Sequence, residues 1–232
     1  MNENRTINTL FLIQSLDGKI STGATYEMDV DKDFPRIPEV KDGLYQYYDL
    51  EKKTDYFSLN TGKVFEKIGF NEKTETPQKV CNFIVIDNKP HLNSNGIKYL
   101  AKKSVKLFIV TTNKNHPAFE ANKEENNIEI FYYPEKIDFY DMFRKLKQDY
   151  NAERVTIQSG GILNSEFLRL GLIDLVSIVI APCLIGGKDT PSLVDGESLK
   201  NESELFKIKP LKLKACDKLE HSYLHLEYDV IN

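Results

Sequence analysis

Apolar positions along the chain fall into two alternating patterns. Runs rich in β-branched and aromatic residues predict strands at Thr6–Ile13, Tyr56–Leu59, Val80–Ile86, Val105–Thr111, Ile128–Tyr133, around Val155–Ile157, and at Leu175–Ile180. Between them, apolar residues return every three or four positions. Leu44, Tyr47, Tyr48 and Leu50 mark a helix over Val40–Leu50 that Pro38 is placed to open, and Thr61 is placed to cap one holding Val64, Phe65 and Ile68. Ser94–Lys102 and Phe139–Tyr150 read the same way, the latter with Phe139, Met142, Phe143 and Leu146 on one face. Ile162, Leu163, Phe167 and Leu168 predict a short amphipathic helix closed by Gly171. The polar stretches Asn71–Lys79 and Thr112–Asn127 read as loops. Two final strands, Lys212–Glu220 and Tyr223–Val230, are joined by His221-Ser222, which predicts an antiparallel hairpin at a sheet edge.

Strands that alternate with helices imply a mainly parallel sheet covered on both faces. No linker-like stretch, repeat or low-complexity tract interrupts them. The expected architecture is α/β: one domain over residues 1–232, core about 6–230, with a mainly parallel mixed sheet flanked by helices and the C-terminal hairpin.

Composition narrows the classes. With 232 residues, 41% of them hydrophobic and 28% charged, the chain fits a globular protein. A net charge of −4 leaves no basic surplus to displace counterions from a nucleic acid. No stretch approaches the roughly 18 apolar residues of a membrane helix, and MNENRTINTLFLIQS does not read as a signal peptide, so a cytoplasmic location without a membrane partner is expected. Cys81, Cys183 and Cys216 form no CxxC pair and are expected to be small apolar fillers in or near strands. His221 and His225 lie in a segment that alternates like a strand, so no metal site is expected.

The chemistry concentrates in Arg154–Lys188, RVTIQSGGILNSEFLRLGLIDLVSIVIAPCLIGGK. A strand runs into Ser159-Gly160-Gly161, a helix begins at Ile162 and Leu163, and the next strand ends before Gly186-Gly187. Glycines remove the Cβ atoms, so backbone N–H groups can close on an anion that the helix dipole also favours. The alternative reading is a plain tight turn, because neither GxGxxG nor GxxxxGK[ST] occurs. Thr111, Thr112 and Lys114 end another strand, where hydroxyls and a cation suit a ribose 2′-phosphate, or where Lys114 is simply a solvated lysine. Ser15-Leu16-Asp17-Gly18-Lys19-Ile20 sits at the carboxyl end of the first strand, a favourable address for a polar site, although Asp-Gly is also a common turn. GxSxG and HExxH are absent. A phosphate seat without an acid–base pair favours hydride transfer from a nicotinamide over hydrolysis.

Taken together, QSLDGKIS and VTIQSGGILNSEFLRLGLIDLVSIVIAPCLIGGKDTPSL resemble the reductase domain of riboflavin biosynthesis, in the dihydrofolate-reductase-like family, over Thr6–Tyr228. The resemblance implies an NADPH-dependent reductase that delivers hydride to C1′ of a phosphorylated ribosylamino-pyrimidine, such as 5-amino-6-(5-phosphoribosylamino)uracil, and it implies a homodimer. Gly160 and Gly161 would match the pyrophosphate-binding glycines, with Ile162, Leu163, Gly186 and Gly187 beside them. Asp17 and Gln158 would be the catalytic pair, facing substrate together with Ser15. Two departures stand out: Gln158 replaces a glutamate, and Asn60, Thr61 and Gly62 replace a Gly-x-x-Thr pattern. They leave open a relative acting on another pterin, pyrimidine, carbonyl or imine, or a silent nucleotide-binding sensor. The zinc-deaminase signature, HxE with a following PCxxC, is absent.

Overall fold

A computed structural model describes residues 4–232. In chain order the elements are β1 (Ile7–Ser15), α1 (Val30–Asp33), α2 (Pro38–Glu51), β2 (Phe57–Thr61), α3 (Gly62–Lys67), β3 (Cys81–Ile86) and α4 (Ser94–Lys103). There follow β4 (Ser104–Thr111), α5 (Ala118–Ala121), β5 (Ile128–Tyr132), α6 (Phe139–Tyr150), β6 (Arg154–Ile157), α7 (Gly161–Arg169), β7 (Leu175–Ala181), β8 (Leu211–Lys218) and β9 (Leu224–Val230). Every predicted strand and helix is present. The architecture is α/β, with mainly parallel strands, flanking helices and an antiparallel C-terminal hairpin. The short helix α5 falls in a stretch read as a loop and α1 in one where no element is predicted, because a single turn shows no hydrophobic period. Local side-chain bonds mark their starts instead: the N-cap Asp29 accepts from Asp31 N in α1, and His116 Nδ1, just before the N-cap Pro117, accepts from Ala118 N in α5.

Two compact units form. One holds Asp55–Ser159 with the described residues that precede Ile7. Its five strands run in the order β5-β4-β3-β2-β6, every pairing parallel. Such strands are buried on both faces, and β3 and β4 are accordingly apolar throughout their centres. On one face Phe65, Phe83, Val85, Ile97, Leu100, Leu107 and Ile109 pack together, with Phe65 stacked on Phe70 at 4.9 Å. Elsewhere in the unit Phe108 meets Tyr150 edge-on at 4.7 Å.

The other unit holds Ile7–Thr54 and Gly160–Asn232, with strand order β1-β7-β9-β8. β1 and β7 are parallel, whereas β9 is antiparallel to both β7 and β8. The predicted hairpin turns through His221 (φ 53) and Ser222 (φ 64), the left-handed pair that a tight two-residue turn requires. Beyond it, the fully buried Tyr223 donates its hydroxyl to Val40 O at 2.6 Å and lies under α2. Gly43 permits this approach: a Cβ there would lie 2.5 Å from the Tyr223 ring.

Cys81 and Cys183 pack against the two cores as expected, but Cys216 on edge strand β8 is exposed. His225 bonds Ser177 Oγ at 2.8 Å, and among the described residues no cluster of His, Cys, Asp or Glu could hold a metal ion. Among the same residues no helix is long and apolar enough to cross a membrane.

Candidate functional site

The carboxyl end of β1 closes into a turn. Gly18 (φ 80) donates to Ser15 O at 3.0 Å, and Ser15 N donates to Lys19 O at 2.9 Å. Within the turn the Ser15 hydroxyl donates to Asp17 Oδ1 at 2.5 Å and accepts from Lys19 N at 3.0 Å. The exposed Asp17 carboxylate also accepts from Ile185 N at 3.1 Å and Gly186 N at 2.6 Å. The Ser15 hydroxyl first, then these two backbone amides, hold the Asp17 pKa down to about 2. At neutral pH Asp17 is therefore a fixed anion that fastens the loop after β7, and it has no proton to donate. Leu16 N adds a bond to Cys183 O at 2.9 Å. In the fastened loop, Gly186 (φ 71) and Gly187 (φ 83) are left-handed, and nothing lies within 4 Å of the Cβ position at Gly186.

A strap at Thr190–Asp195 then joins this turn to α7. On one side Lys19 Nζ donates to Thr190 O at 2.9 Å and to Ser192 Oγ at 3.2 Å, while Leu193 N donates to Gly18 O at 3.0 Å. On the other side Asp195 N donates to Gly161 O at 3.0 Å, and Asn164 Nδ2 donates to Leu193 O at 2.8 Å. Lys19 belongs to the QSLDGKIS motif, yet its tie to the strap depends on a contact 171 residues away, which no spacing reveals.

The glycine pair divides its labour. A Cβ on Gly161 would lie 2.2 Å from Ser192 O and 2.4 Å from Asp195 Oδ2, so the molecule itself fills that space. Gly160, the N-cap residue, has nothing within 4 Å and no side chain to cap the first turn of α7. The donors of that turn, with the positive end of the helix dipole, face the opening left by Gly160 and suit an anion. Ile162 does not join a buried stripe: it is 74% exposed at the same end, and Leu163 is half-buried. The buried positions are Gly161, Asn164, Ser165 and Phe167.

The other unit holds the remaining predicted residues. Gln158 follows β6, donates its N–H to Leu59 O at 2.8 Å, and accepts from Ser58 Oγ on Oε1 at 3.2 Å. Thr111 is buried, and its hydroxyl serves the turn: it donates to Asp87 O at 2.9 Å and accepts from Asn113 N at 3.1 Å. Thr112 N donates to Asn88 Oδ1 at 3.0 Å, and Lys114 is exposed.

Asp87, which sequence reasoning passed over, anchors this turn from below. Its fully buried carboxylate accepts from His91 N and Leu92 N, each at 3.1 Å, and bonds His91 Nδ1 at 2.9 Å and His116 Nε2 at 3.2 Å. Because His116 Nδ1 accepts from Ala118 N, Nε2 is the nitrogen that donates. Burial pushes the Asp87 pKa up, but the bonds from His116, His91 and Leu92 outweigh it and leave it below the usual carboxylate range. The start of α3 rests on this anion, since a Cβ on Gly62 would lie 2.2 Å from Asp87 Cγ.

A sequence model of the RibD C-terminal domain family matches residues 7–221. The chain belongs to this family. It is 31% identical over 74 residues to the 2,5-diamino-6-ribosylamino-4(3H)-pyrimidinone 5′-phosphate reductase of Methanothermobacter thermautotrophicus, covering 32% of this chain and 34% of that one. It is 36% identical over 58 residues to the protein of that name from Archaeoglobus fulgidus, covering 25% and 26% of the two chains. With riboflavin biosynthesis protein RibD of Actinobacillus pleuropneumoniae it shares 30% identity over 97 residues, 42% of this chain and 24% of that one. The matched segments thus span between 24% and 34% of these relatives' lengths.

Solved structures resemble this RibD C-terminal domain across almost its whole length. Acinetobacter baumannii RibD superposes with a TM-score of 0.65 at 14% identity, covering 100% of this chain and 60% of that one. A pyrimidine reductase-like protein from Corynebacterium diphtheriae gives 0.67 at 13% identity, covering 99% and 93%. The Saccharomyces cerevisiae riboflavin biosynthesis reductase Rib7 gives 0.62 at 15%, covering 100% and 92%. These likenesses establish the RibD reductase-domain fold for the chain.

Proposed function

We propose that this chain is an NADPH-dependent reductase of riboflavin biosynthesis, acting on a phosphorylated ribosylamino-pyrimidine. The observation that carries the reading is the N-terminus of α7, uncapped by any side chain and open at Gly160. Family membership and the reductase relatives support it.

In this reading NADPH supplies the hydride that reduces C1′ of the substrate. Backbone N–H groups at Gly160, Gly161, Ile162 and Leu163 hold its pyrophosphate, and the exposed Ile162 side chain adds apolar cover. Gly186 and Gly187 contribute a side-chain-free loop whose position Asp17 fixes through Ile185 and Gly186. Thr112 and Lys114 are the polar groups for the 2′-phosphate, with Thr111 holding their turn. Ser15, Asp17 and Gln158 face the substrate. Asp17, ionised throughout the physiological range, acts as a positioning anion, and the proton that accompanies hydride comes from elsewhere. A single reductase domain, a cytoplasmic location and a homodimer belong to the same reading. The exposed Phe206, Leu211 and Leu213, at and just before edge strand β8, support the dimer.

The test is a titration with NADPH and, separately, NADH, followed by nicotinamide fluorescence, which the absence of tryptophan leaves on a low background. The expected result is saturable binding with NADPH preferred by about tenfold or more, about 1.4 kcal/mol. NADPH oxidation should then depend on 2,5-diamino-6-ribosylamino-4(3H)-pyrimidinone 5′-phosphate or its 5-amino-uracil counterpart. Binding without turnover on either substrate favours the sensor alternative.

A further inference from the structure

Four polar side chains line one face of β2 and the segment leaving β6. Ser58 is opposite Thr156 and Leu59 opposite Ile157, so the period of two along parallel strands puts Ser58, Asn60, Thr156 and Gln158 on the same side. Moving toward the carboxyl ends, each is engaged in turn. Thr156 Oγ1 donates to Asp55 Oδ2 at 2.9 Å, and Ser58 Oγ donates to Gln158 Oε1 at 3.2 Å. The row ends on Asn60, only 8% exposed, whose Oδ1 is buried with no donor. Among the described residues the only other buried side-chain atom in that condition is Gln14 Oε1.

Buried amide oxygens are almost always bonded, so an orphan calls for a partner from outside the chain. The carboxyl ends of parallel strands are where α/β proteins collect ligands. Rotation about the last side-chain bond lets a primary amide offer either an acceptor or a donor to the same spot. A group that sets a donor and an acceptor side by side satisfies both ends of such an amide at once.

We propose that Asn60 is a ligand-recognition residue whose amide pairs with a carboxamide or lactam group of the bound molecules. This deepens the function proposed above and rests on it. The same chemistry occurs in the nicotinamide carboxamide and in the pyrimidine ring, and the experiment separates the two.

Asn60→Ala and the volume-conserving Asn60→Asp are compared with wild type for melting temperature, Kd for NADPH, Kd for the 3-acetylpyridine analogue (carboxamide NH2 replaced by methyl), and KM for the pyrimidinone phosphate. The expected result is opposite movement of stability and recognition. Asn60→Ala keeps or gains melting temperature, because the orphan oxygen is gone. It also loses about tenfold in NADPH Kd or in substrate KM, equivalent to about 1.4 kcal/mol. If the cofactor is the partner, wild type discriminates against the analogue and Asn60→Ala does not; if the pyrimidine is, only KM moves. Folded variants with unchanged Kd and KM overturn the proposal and leave the functional reading intact. A large drop in melting temperature in both variants, with any binding loss in proportion, also overturns it by making Asn60 structural. A wild-type chain that binds neither NADPH nor NADH overturns both the functional reading and this inference.

Discussion

Asp17 Oδ2 accepts from Gly186 N at 2.6 Å, fastening the turn after β1 to the glycine loop after β7. The bond links residues 169 apart in sequence and makes the aspartate a mechanical part of the site as well as an electrostatic one. Asp17→Asn keeps only one acceptor oxygen and puts an N–H group where the other stood. We expect faster hydrogen exchange at Ile185 and Gly186 and a fall in kcat of about tenfold, with the fold preserved. Unaltered exchange at both amides would remove the fastening role.

The same carboxylate sets a pH signature. Its folded pKa of about 2 lies below the unfolded value of about 3.9. A depressed carboxylate contributes stability above its unfolded pKa and loses it as pH falls toward the folded one. The stability gap between wild type and Asp17→Asn should therefore be constant above about pH 5 and close between about pH 4 and about pH 2. A pH–rate profile between pH 5 and 9 should show no inflection from Asp17, and one that vanishes in Asp17→Asn would contradict this assignment.

The glycine pair offers a contrast within two residues. Gly161→Ala drives a methyl into Ser192 O and Asp195, and should destabilise by about 1–3 kcal/mol through overpacking. Gly160→Val meets no neighbour, so its melting temperature should be nearly that of wild type while NADPH affinity falls. Thermal melts and fluorescence titrations on the two variants suffice; equal melts with equal affinities would defeat the division of labour.

Asp87→Ala removes the anion that His116, His91 and Leu92 converge on and leaves their buried N–H groups without an acceptor, which should cost about 1–3 kcal/mol for each donor left unpaired. Urea denaturation measures it. Since the Asp87 pKa is lowered on folding, its contribution should fade on acidification below its unfolded value.

Gly43→Ala tests a competition. Alanine gains about 1 kcal/mol of helix propensity over glycine, but its methyl would lie 2.5 Å from the buried Tyr223 ring, where overpacking costs about 1–3 kcal/mol. Because Tyr223 is also tied to Val40 O, the ring cannot retreat, and net destabilisation is expected in a denaturant melt.

Periodicity located α6 to the residue and both partners of the hairpin, because long amphipathic helices and tight turns are written locally. Two helices of a single turn were illegible because one turn shows no period and only a local side-chain bond marks the start of each. The site was legible as an address: Asp17 and the glycine pair were visible as motifs. What each residue does there was not. Gly160 and Gly161 look alike in sequence, and only the position of Ser192 and Asp195 separates them. Ile162 fits a helical stripe by spacing yet lies outside it, since the face that α7 buries is set by Asn164 and the strap. Asp87 had no local signal and Asn60 showed only as a departure from a motif, as their significance rests on partners supplied, or withheld, by other elements.

The strap at Thr190–Asp195 touches Lys19 and Gly18 with one edge and Gly161 and Asn164 with the other. A molecule that shifts one edge therefore also shifts the groups that hold the other. Occupancy at the helix end and at the turn should be thermodynamically linked, and linkage is reciprocal: whatever factor the first ligand lends to the second, the second returns to the first.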